Sequence, residues 1–505
     1  MEERKKMAGK DFLRCLLFFF LLSIVSSSPT TLKIHANRSA FSFFSKSAKR
    51  IIDKEVPGVV LPNISIALEG PGSGTLYAFN LRVVKVASPQ FTLAIDSSGF
   101  HWQSKGGGVR IEGLFTVEYA LLFPIVESGS FRVVAADFGL AVSALATAFE
   151  GHPQFSITEC NTDVHEFSLQ IYGGVLEWLV NLFNNPLSEA IREQLNKQGC
   201  QLARNVLTTE ANKFLHSLPT TISLGKNIFL TYFLQRDPIY TPSHVQMESS
   251  THILFGNRSA CSLPAYPLQE YDVMNPRMFS VWISEQIPNC LLQTAFDNLP
   301  SSLTITHENV PPLEKFLKTT CLLTCIGAFL PELSTRFPNS HLSLGLSLLT
   351  RPIVFLSSDN ATIILSIAVE FYVFPKSDHP NSLAQLKIDA SASIDPYIKG
   401  HILTGRIGNV TMNAKEVFST IGQFSERFLK LLSEMLENVT IVLAKTIVDS
   451  GLPIPIFDNV TISNSSSIVL QEGQLLLSLD LIDESEIRTH TRKHFHPRLS
   501  HLQSS

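Results

Sequence analysis

Six cysteines stand between positions 160 and 325, and two of them are spaced for covalent chemistry. Cys160 and Cys200 bracket an alternating stretch followed by a long amphipathic one. In an oxidising compartment this arrangement predicts a disulfide that pins a helix to the sheet behind it. Cys261, Cys290, Cys321 and Cys325 can pair three ways or stay reduced and buried. Cys321 and Cys325 suit zinc poorly, because no second ligand pair stands at metal spacing. The sequence has no Gly-x-Ser-x-Gly, no His-Glu-x-x-His and no phosphate-binding loop. Gly106-Gly107-Gly108 lacks the helix and the Lys-Ser/Thr that a phosphate loop needs, so it reads as a turn. The expectation is a protein that is not an enzyme and holds no metal or cofactor.

A second chemistry is glycosylation. Asn-x-Ser/Thr occurs at Asn37, Asn63, Asn257, Asn360, Asn409, Asn438, Asn459 and Asn464. The N-terminus agrees with an extracellular destination. Arg4, Lys5, Lys6, Lys10 and Arg14 precede the apolar run Cys15–Val25 and then Ser26-Ser27-Ser28, which predicts a signal peptide over 1–28. That run is short of the ~20 residues a spanning helix needs. The mature chain is expected to be a secreted glycoprotein.

Charged residues are 17% and apolar ones 45% of the 505 residues, with a formal net charge of −4. That is oily against the usual ~25% charged. Bulk charge announces no polyanion, so nucleic acid is not an expected partner.

The elements that must position the cysteines follow from periodicity. Ser39–Val56 is helical, with Phe41, Phe44, Ala48, Ile51 and Ile52 on one face and Lys46, Lys49, Arg50 and Lys54 on the other. Alternating strands are expected at Leu81–Val86, Gln90–Ser97, Val109–Tyr119 and Phe131–Leu145. The helix between the cysteines carries Val175, Leu176, Leu179, Leu182, Phe183, Leu187, Ile191 and Leu195 in stripe, with Trp178 beside them. Further strands are expected between Ile222 and Met247, and a linker over 246–275. Then the plan repeats. A strand and helix cover Phe279–Leu299, and strands cover Leu342–Leu348, Ile353–Leu356, Thr362–Phe374 and Leu383–Ala392. A long helix is expected over Ala414–Val448, with Val417, Ile421, Phe424, Phe428, Leu431, Leu432 and Met435 in stripe, and a last strand over Gln474–Ile482. This is a tandem duplication of ~200-residue units, too long for a solenoid repeat. The reading gives two domains, 29–245 and 276–484, and a basic, His-rich tail over 485–505 that is expected to be disordered.

In order and spacing the chain resembles the family of bactericidal/permeability-increasing protein, lipopolysaccharide-binding protein, phospholipid transfer protein and cholesteryl ester transfer protein. The residues that carry this are Cys160 and Cys200 framing Trp178-Leu179-Val180-Asn181-Leu182-Phe183, and the exit Phe214–Pro219. Pro276-Arg277-Met278-Phe279, Gly327-Ala328-Phe329-Leu330-Pro331-Glu332 before Phe337-Pro338, and Gly451-Leu452-Pro453-Ile454-Pro455 complete them. The resemblance implies an α+β fold: an elongated boomerang of two similar domains, each a twisted antiparallel barrel-like sheet with two long helices, joined by a central sheet. It also implies a phospholipid in an apolar pocket of each domain. Phe41, Phe44, Leu176, Leu179, Phe183, Phe418, Ile421 and Phe424 are then the pocket candidates, and Lys46, Lys49, Arg50 and Lys54 the anionic-head-group candidates.

One departure limits the carry-over. Bactericidal members carry basic residues in a tip hairpin of the first domain. The corresponding Glu118–Ser130 contains no base and the apolar run Ala120–Val126. Pro29–Val245 holds 17 Lys+Arg and 17 Asp+Glu, so no electrostatic clamp on an anionic surface is evident. The expected activity is non-enzymatic binding of phospholipid acyl chains, in innate defence, with contact to a membrane or lipoprotein surface. The alternatives are antibacterial binding of lipopolysaccharide through lipid A, or lipid transfer.

Overall fold

The computed structural model describes residues 30–483 apart from 174–175, 218, 262, 265, 271–275, 301, 323–324, 435, 438–440, 442–450 and 455–459. The leader, the tail, Asn438 and Asn459 lie outside the described residues, as do the side chains of Phe44, Arg50 and Lys54.

The chain opens with strand β1 (Leu32–Asn37) and helix α1 (Arg38–Glu55). Strands β2 (Ile64–Glu69), β3 (Ser73–Ala87), β4 (Gln90–Asp96), β5 (Gly99–Lys105), β6 (Gly108–Ala120), β7 (Pro124–Phe149) and β8 (His152–Tyr172) follow. Helix α2 (Glu177–Arg204) passes through a π-helical turn, Asn205–Glu210, into α3 (Ala211–Ser217). Then come β9 (Thr221–Gly225), β10 (Ile228–Leu234), the short β11 (Ile239–Tyr240), β12 (His244–Phe255) and the short β13 (Arg258–Ser259). The second half runs β14 (Phe279–Ser284), α4 (Gln286–Asn298), β15 (Ser302–Ile305), α5 (Ile326–Phe329) and α6 (Pro331–Arg336). After these come β16 (His341–Leu348), β17 (Ile353–Leu356), β18 (Ala361–Phe374), β19 (Ala384–Lys399) and β20 (Ile402–Ser419). Helix α7 begins at 426 and continues through 434. The short β21 (Leu452–Pro453) and β22 (Val460–Ile462), then β23 (Ser467–Gln471), β24 (Gln474–Leu479) and β25 (Leu481–Asp483), end the described chain.

Three large antiparallel sheets, and a two-stranded one of β22 and β25, organise these elements among the described residues. The first is ordered β2-β3-β6-β7-β5-β4 with β8 on β7, and the second β15-β16-β18-β19-β20-β21 with β17 on β18. Between them lies a central sheet, β23-β24-β14-β1-β12-β10-β9, in which β1 from the first half pairs with β14 from the second. The two halves thus share one hydrogen-bonded ladder.

Alternation explains the first sheet. Along β6, Ile111, Phe115, Val117 and Tyr119 point inward and are buried, and along β7 so do Phe131, Val133 and Ala135. They meet the α2 stripe Leu179, Phe183, Leu187, Ile191 and Leu195, all buried. A four-residue spacing keeps that stripe on one face of the helix. β7 changes partner at Asp137, pairing with β6 before it and with β5 after it. Asp137 adopts φ 50°, its N–H donates to the Gly107 carbonyl (3.0 Å), and its carboxylate accepts from the Gly106 N–H (3.2 Å). Gly107 sits at φ +82°, and a Cβ there would come within 2.7 Å of the Ala87 carbonyl oxygen. The triple glycine is therefore a turn that lets two strand ends approach.

The sequence expectations need five corrections. Residues 414–419 are strand, not helix: Gln385 pairs with Phe418 and Ala384 with Ser419 in the β19–β20 ladder. Long-range pairing overrides the helical period there, and Gly422 at φ 97° separates strand from helix. The expected linker 246–275 begins inside β12, which runs to Phe255 in the central sheet. Leu176 is not part of the buried stripe; it is the exposed N-cap residue of α2. The expected last strand over Gln474–Ile482 is two strands: β24 ends at Leu479 in the central sheet, and β25 pairs with β22 in a separate two-stranded sheet. Finally, Asn37, expected as a glycan acceptor, is buried rather than presented to solvent. It is 6% exposed in the central sheet, and its amide donates to the Arg277 carbonyl (2.8 Å) and to Ser280 Oγ (3.3 Å). Asn63, Asn257, Asn360, Asn409 and Asn464 are exposed.

Candidate functional site

An apolar cavity of about 350 Å³ opens in the first half, between the C-terminal half of α2 and the sheet. Val83 and Val86 of β3, Phe91 of β4, Val109 of β6, and Phe138 and Leu140 of β7 form its floor. Leu195 and Leu202 of α2 cover it, and Val56, just past α1, borders it. The polar side chains that reach it are Ser104, Gln198, Gln201 and Asn205, none of them charged. Ser104 is already engaged, donating to the Phe138 carbonyl (3.2 Å) and accepting from the Leu140 N–H (2.8 Å).

The local sequence builds this space. Cys160 of β8 is bonded to Cys200 of α2 with Cα atoms 5.9 Å apart. Next to that bond, Gly199 lets α2 approach Phe138: a Cβ at 199 would lie 3.1 Å from Phe138 Cζ and 2.9 Å from Thr162 Cγ2. Thr162 Oγ1 donates to the Asn196 carbonyl (2.9 Å), a second tie between β8 and α2. The other cysteines are also paired, Cys261 with Cys290 and Cys321 with Cys325.

The pocket candidates do not converge on this cavity. Leu179 and Phe183 lie in the protein core of the first half, and Ile421 and Phe424 in that of the second. Phe41 packs in a separate cluster with Ile95, Phe100 and Val245, its ring 5.2 Å from that of Phe100. Leu176 and Phe418 are exposed. The residues that do line it were missed because Phe138 and Leu140 read as ordinary strand core. The one sequence signal that could have pointed there is the glycine beside Cys200, which permits a close approach. Of the head-group candidates, Lys46 and Lys49 are exposed on α1.

Two other features bound the chemistry. A polar cleft of about 310 Å³ on the outer face of the first sheet is lined by Arg82, Glu112, Arg132 and Tyr172. Its guanidinium at Arg132 is spent on Glu112 (3.0 Å) and the Tyr172 hydroxyl (3.2 Å). At the far end of the same sheet, the turn between β6 and β7 projects Leu121, Leu122 and Phe123 into solvent. Among the described residues, no group of three His, Cys, Asp or Glu could hold a metal ion, and no helix is long and apolar enough to cross a membrane.

A two-part sheet architecture sharing a central ladder, with an apolar cavity under a disulfide-braced helix, defines the class. Residues 41–210 match the N-terminal domain, and residues 223–481 the C-terminal domain, of the LBP / BPI / CETP family, and the chain belongs to that family. It is 23% identical to a bactericidal permeability-increasing protein of Sebastes schlegelii over 90% of this chain and 97% of the relative. To a lipopolysaccharide-binding protein of Bos taurus it is 22% identical, over 75% and 78%. To a cholesteryl ester transfer protein of Cricetulus griseus it is 21% identical, over 88% and 90%. The crystal structure of a lipopolysaccharide binding protein shares the fold, with a TM-score of 0.59 at 16% identity over 90% of this chain and all of that one. Binding and transfer stand in the names of the relatives from Bos taurus and Cricetulus griseus, and the chain, as a member of this family, is not an enzyme.

Proposed function

We propose that this is a secreted lipid-binding glycoprotein that holds a phospholipid acyl chain in the cavity under α2, in the service of innate defence. The observation that carries the reading is the cavity itself: about 350 Å³, walled by aliphatic and phenyl groups, with only uncharged polar side chains among its lining. This volume is at the lower end of the ~300–1,000 Å³ typical of small-molecule sites. Each methylene moved from water into such a wall contributes ~0.8 kcal/mol, so a short length of acyl chain suffices for tight retention. Gln198, Gln201 and Asn205 offer hydrogen bonds without charge, which suits a zwitterionic or neutral head group better than an isolated anion.

The second reading, lipopolysaccharide binding, is favoured by the name of the relative from Bos taurus. Against it stands the tip hairpin, where Glu118 and Glu127 flank an apolar run and no base is present. Titration of the secreted protein with a fluorescent phosphatidylcholine and, separately, with lipopolysaccharide over a range of salt concentrations decides between them. Saturable, salt-insensitive binding of phosphatidylcholine supports the first reading. Tight lipopolysaccharide binding that weakens steeply with salt, together with no phosphatidylcholine binding, rejects it.

A further inference from the structure

The helix that roofs the cavity is packed shut along one half and clamped along the other. In four-residue steps along α2, Leu179, Phe183, Leu187 and Ile191 are fully buried, and the Phe183 ring lies 5.3 Å from that of Phe115 in β6. Protein side chains therefore fill the space under the N-terminal half of the helix. The next steps are Leu195 and then Gly199, which has no side chain to place beneath the helix, and only there does the cavity open. Three ties hold that half of the roof at its height. Cys200 is bonded to Cys160, and Thr162 Oγ1 donates to the Asn196 carbonyl. Beyond the π-helical turn, the buried Asn212 side chain accepts from the Phe155 N–H (2.7 Å) and donates to the Phe155 carbonyl (2.8 Å). All three ties run to β8, so a higher roof requires breaking them.

The fixed volume selects the ligand. A methylene takes about the volume of a water, ~30 Å³, so the cavity of about 350 Å³ holds roughly a dozen chain carbons. Two chains of ordinary membrane-lipid length would need about 1,000 Å³. The lining passes from the buried Leu61, Val83 and Leu195 inside to the exposed Gln201, Leu202 and Asn205 at the mouth. Among the described residues no charged side chain lines it, so a carboxylate head group would enter without a counter-charge. We propose that this cavity takes one aliphatic chain and excludes a second, its ligand being a single-chain amphiphile whose head group has no net charge. A lysophospholipid with a zwitterionic head and a monoacylglycerol both have that chemistry. The inference deepens the acyl-chain reading of the cavity and rests on it.

Calorimetric titration of the full secreted chain, with each lipid kept below its micellar concentration, tests it. In a series of lysophosphatidylcholines, affinity is expected to rise roughly fourfold per added methylene and to level off near about a dozen carbons. Dodecanoyl lysophosphatidylcholine is expected to bind at least tenfold more tightly than dihexanoyl phosphatidylcholine, which divides the same number of acyl carbons between two chains. Monododecanoylglycerol is expected to bind more tightly than dodecanoate at pH 8, and whichever of the two uncharged-head ligands binds more tightly identifies the head group. Equal or tighter binding of the two-chain lipid, a rise that continues unbroken to the longest chain, or a preference for dodecanoate overturns the proposal and leaves the cavity reading standing. The cavity reading itself fails if no lipid of either kind binds, or if Leu202→Trp, which narrows the mouth, leaves every affinity unchanged.

Discussion

Gly199 and Phe138 approach so closely that a Cβ on residue 199 would stand 3.1 Å from the phenyl ring. One neighbour in sequence is Cys200, bonded to Cys160, and the ring itself lines the apolar cavity. Close helix–sheet approach, covalent brace and cavity wall are therefore one local structure. Gly199→Ala is expected to push α2 outward, because an overpacking cost of about 1–3 kcal/mol outweighs the ~1 kcal/mol that Ala gains over Gly in a helix. Denaturant unfolding measures this, and a midpoint raised by the full propensity gain of Ala would show that helix and ring are not in contact.

Removing the brace has a larger effect. Cys160→Ser with Cys200→Ser opens a loop closed by residues 40 apart in sequence, which loop entropy values at about 4 kcal/mol. The same double variant should raise hydrogen exchange in the C-terminal half of α2 more than in its N-terminal half. Uniform exchange along the helix would mean that the bond stabilises the domain without bracing the cavity.

Asn37 separates a sequence motif from a usable one. Asn37→Gln is expected to leave the glycan mass of the secreted protein unchanged, whereas the corresponding changes at Asn63, Asn257, Asn360, Asn409 and Asn464 each remove one glycan. Asn37→Ala, which takes a donor from Ser280 and the Arg277 carbonyl, should cost about 1–3 kcal/mol. Intact-mass measurement and thermal melting check the two halves of this prediction.

Acid should loosen the ladder between the halves. His35 of β1 stacks on His244 of β12 at 3.9 Å and meets the Trp282 ring of β14 edge-on at 4.5 Å. Burial, and then the neighbouring His244, lower its pKa to about 4, against an ordinary value of 6.5. The unfolded chain thus binds the proton more readily than the folded one. Stability is full above pH 6.5 and falls as pH drops toward 4, by roughly 3 kcal/mol for this group alone. His35→Gln should flatten that limb of the pH–stability curve, and an unchanged slope would assign acid sensitivity to other groups.

Much of the fold was legible because its elements obey strong periodicities. The strand Ile353–Leu356 and the helix around Phe41 stand where alternation and the 3.6-residue period put them, and the α2 stripe from Leu179 to Leu195 is buried as its spacing requires. The end of β20 was not legible, since Val417 and Phe418 keep helical spacing with Ile421 and Phe424 while the partner that makes them strand lies some thirty residues away in β19. The cavity was illegible for a different reason. An apolar residue facing a void and one facing core have the same sequence pattern, so Phe183 and Phe138 could not be told apart without the packing around them. The tip was the reverse case: Leu122 and Phe123 interrupt the alternation at a turn, where an apolar run has no core to enter.

If the space under α2 holds lipid, filling it at Leu202 must expel that lipid. This side chain borders the cavity and is 38% exposed, so a bulky residue is accommodated there without rebuilding the core. Native mass spectrometry of the secreted wild type and of Leu202→Trp measures the bound mass directly. Phospholipid is expected on the wild type, with at least tenfold lower occupancy in the variant. A wild type that emerges with no lipid mass, or a variant that retains the full complement, would contradict it.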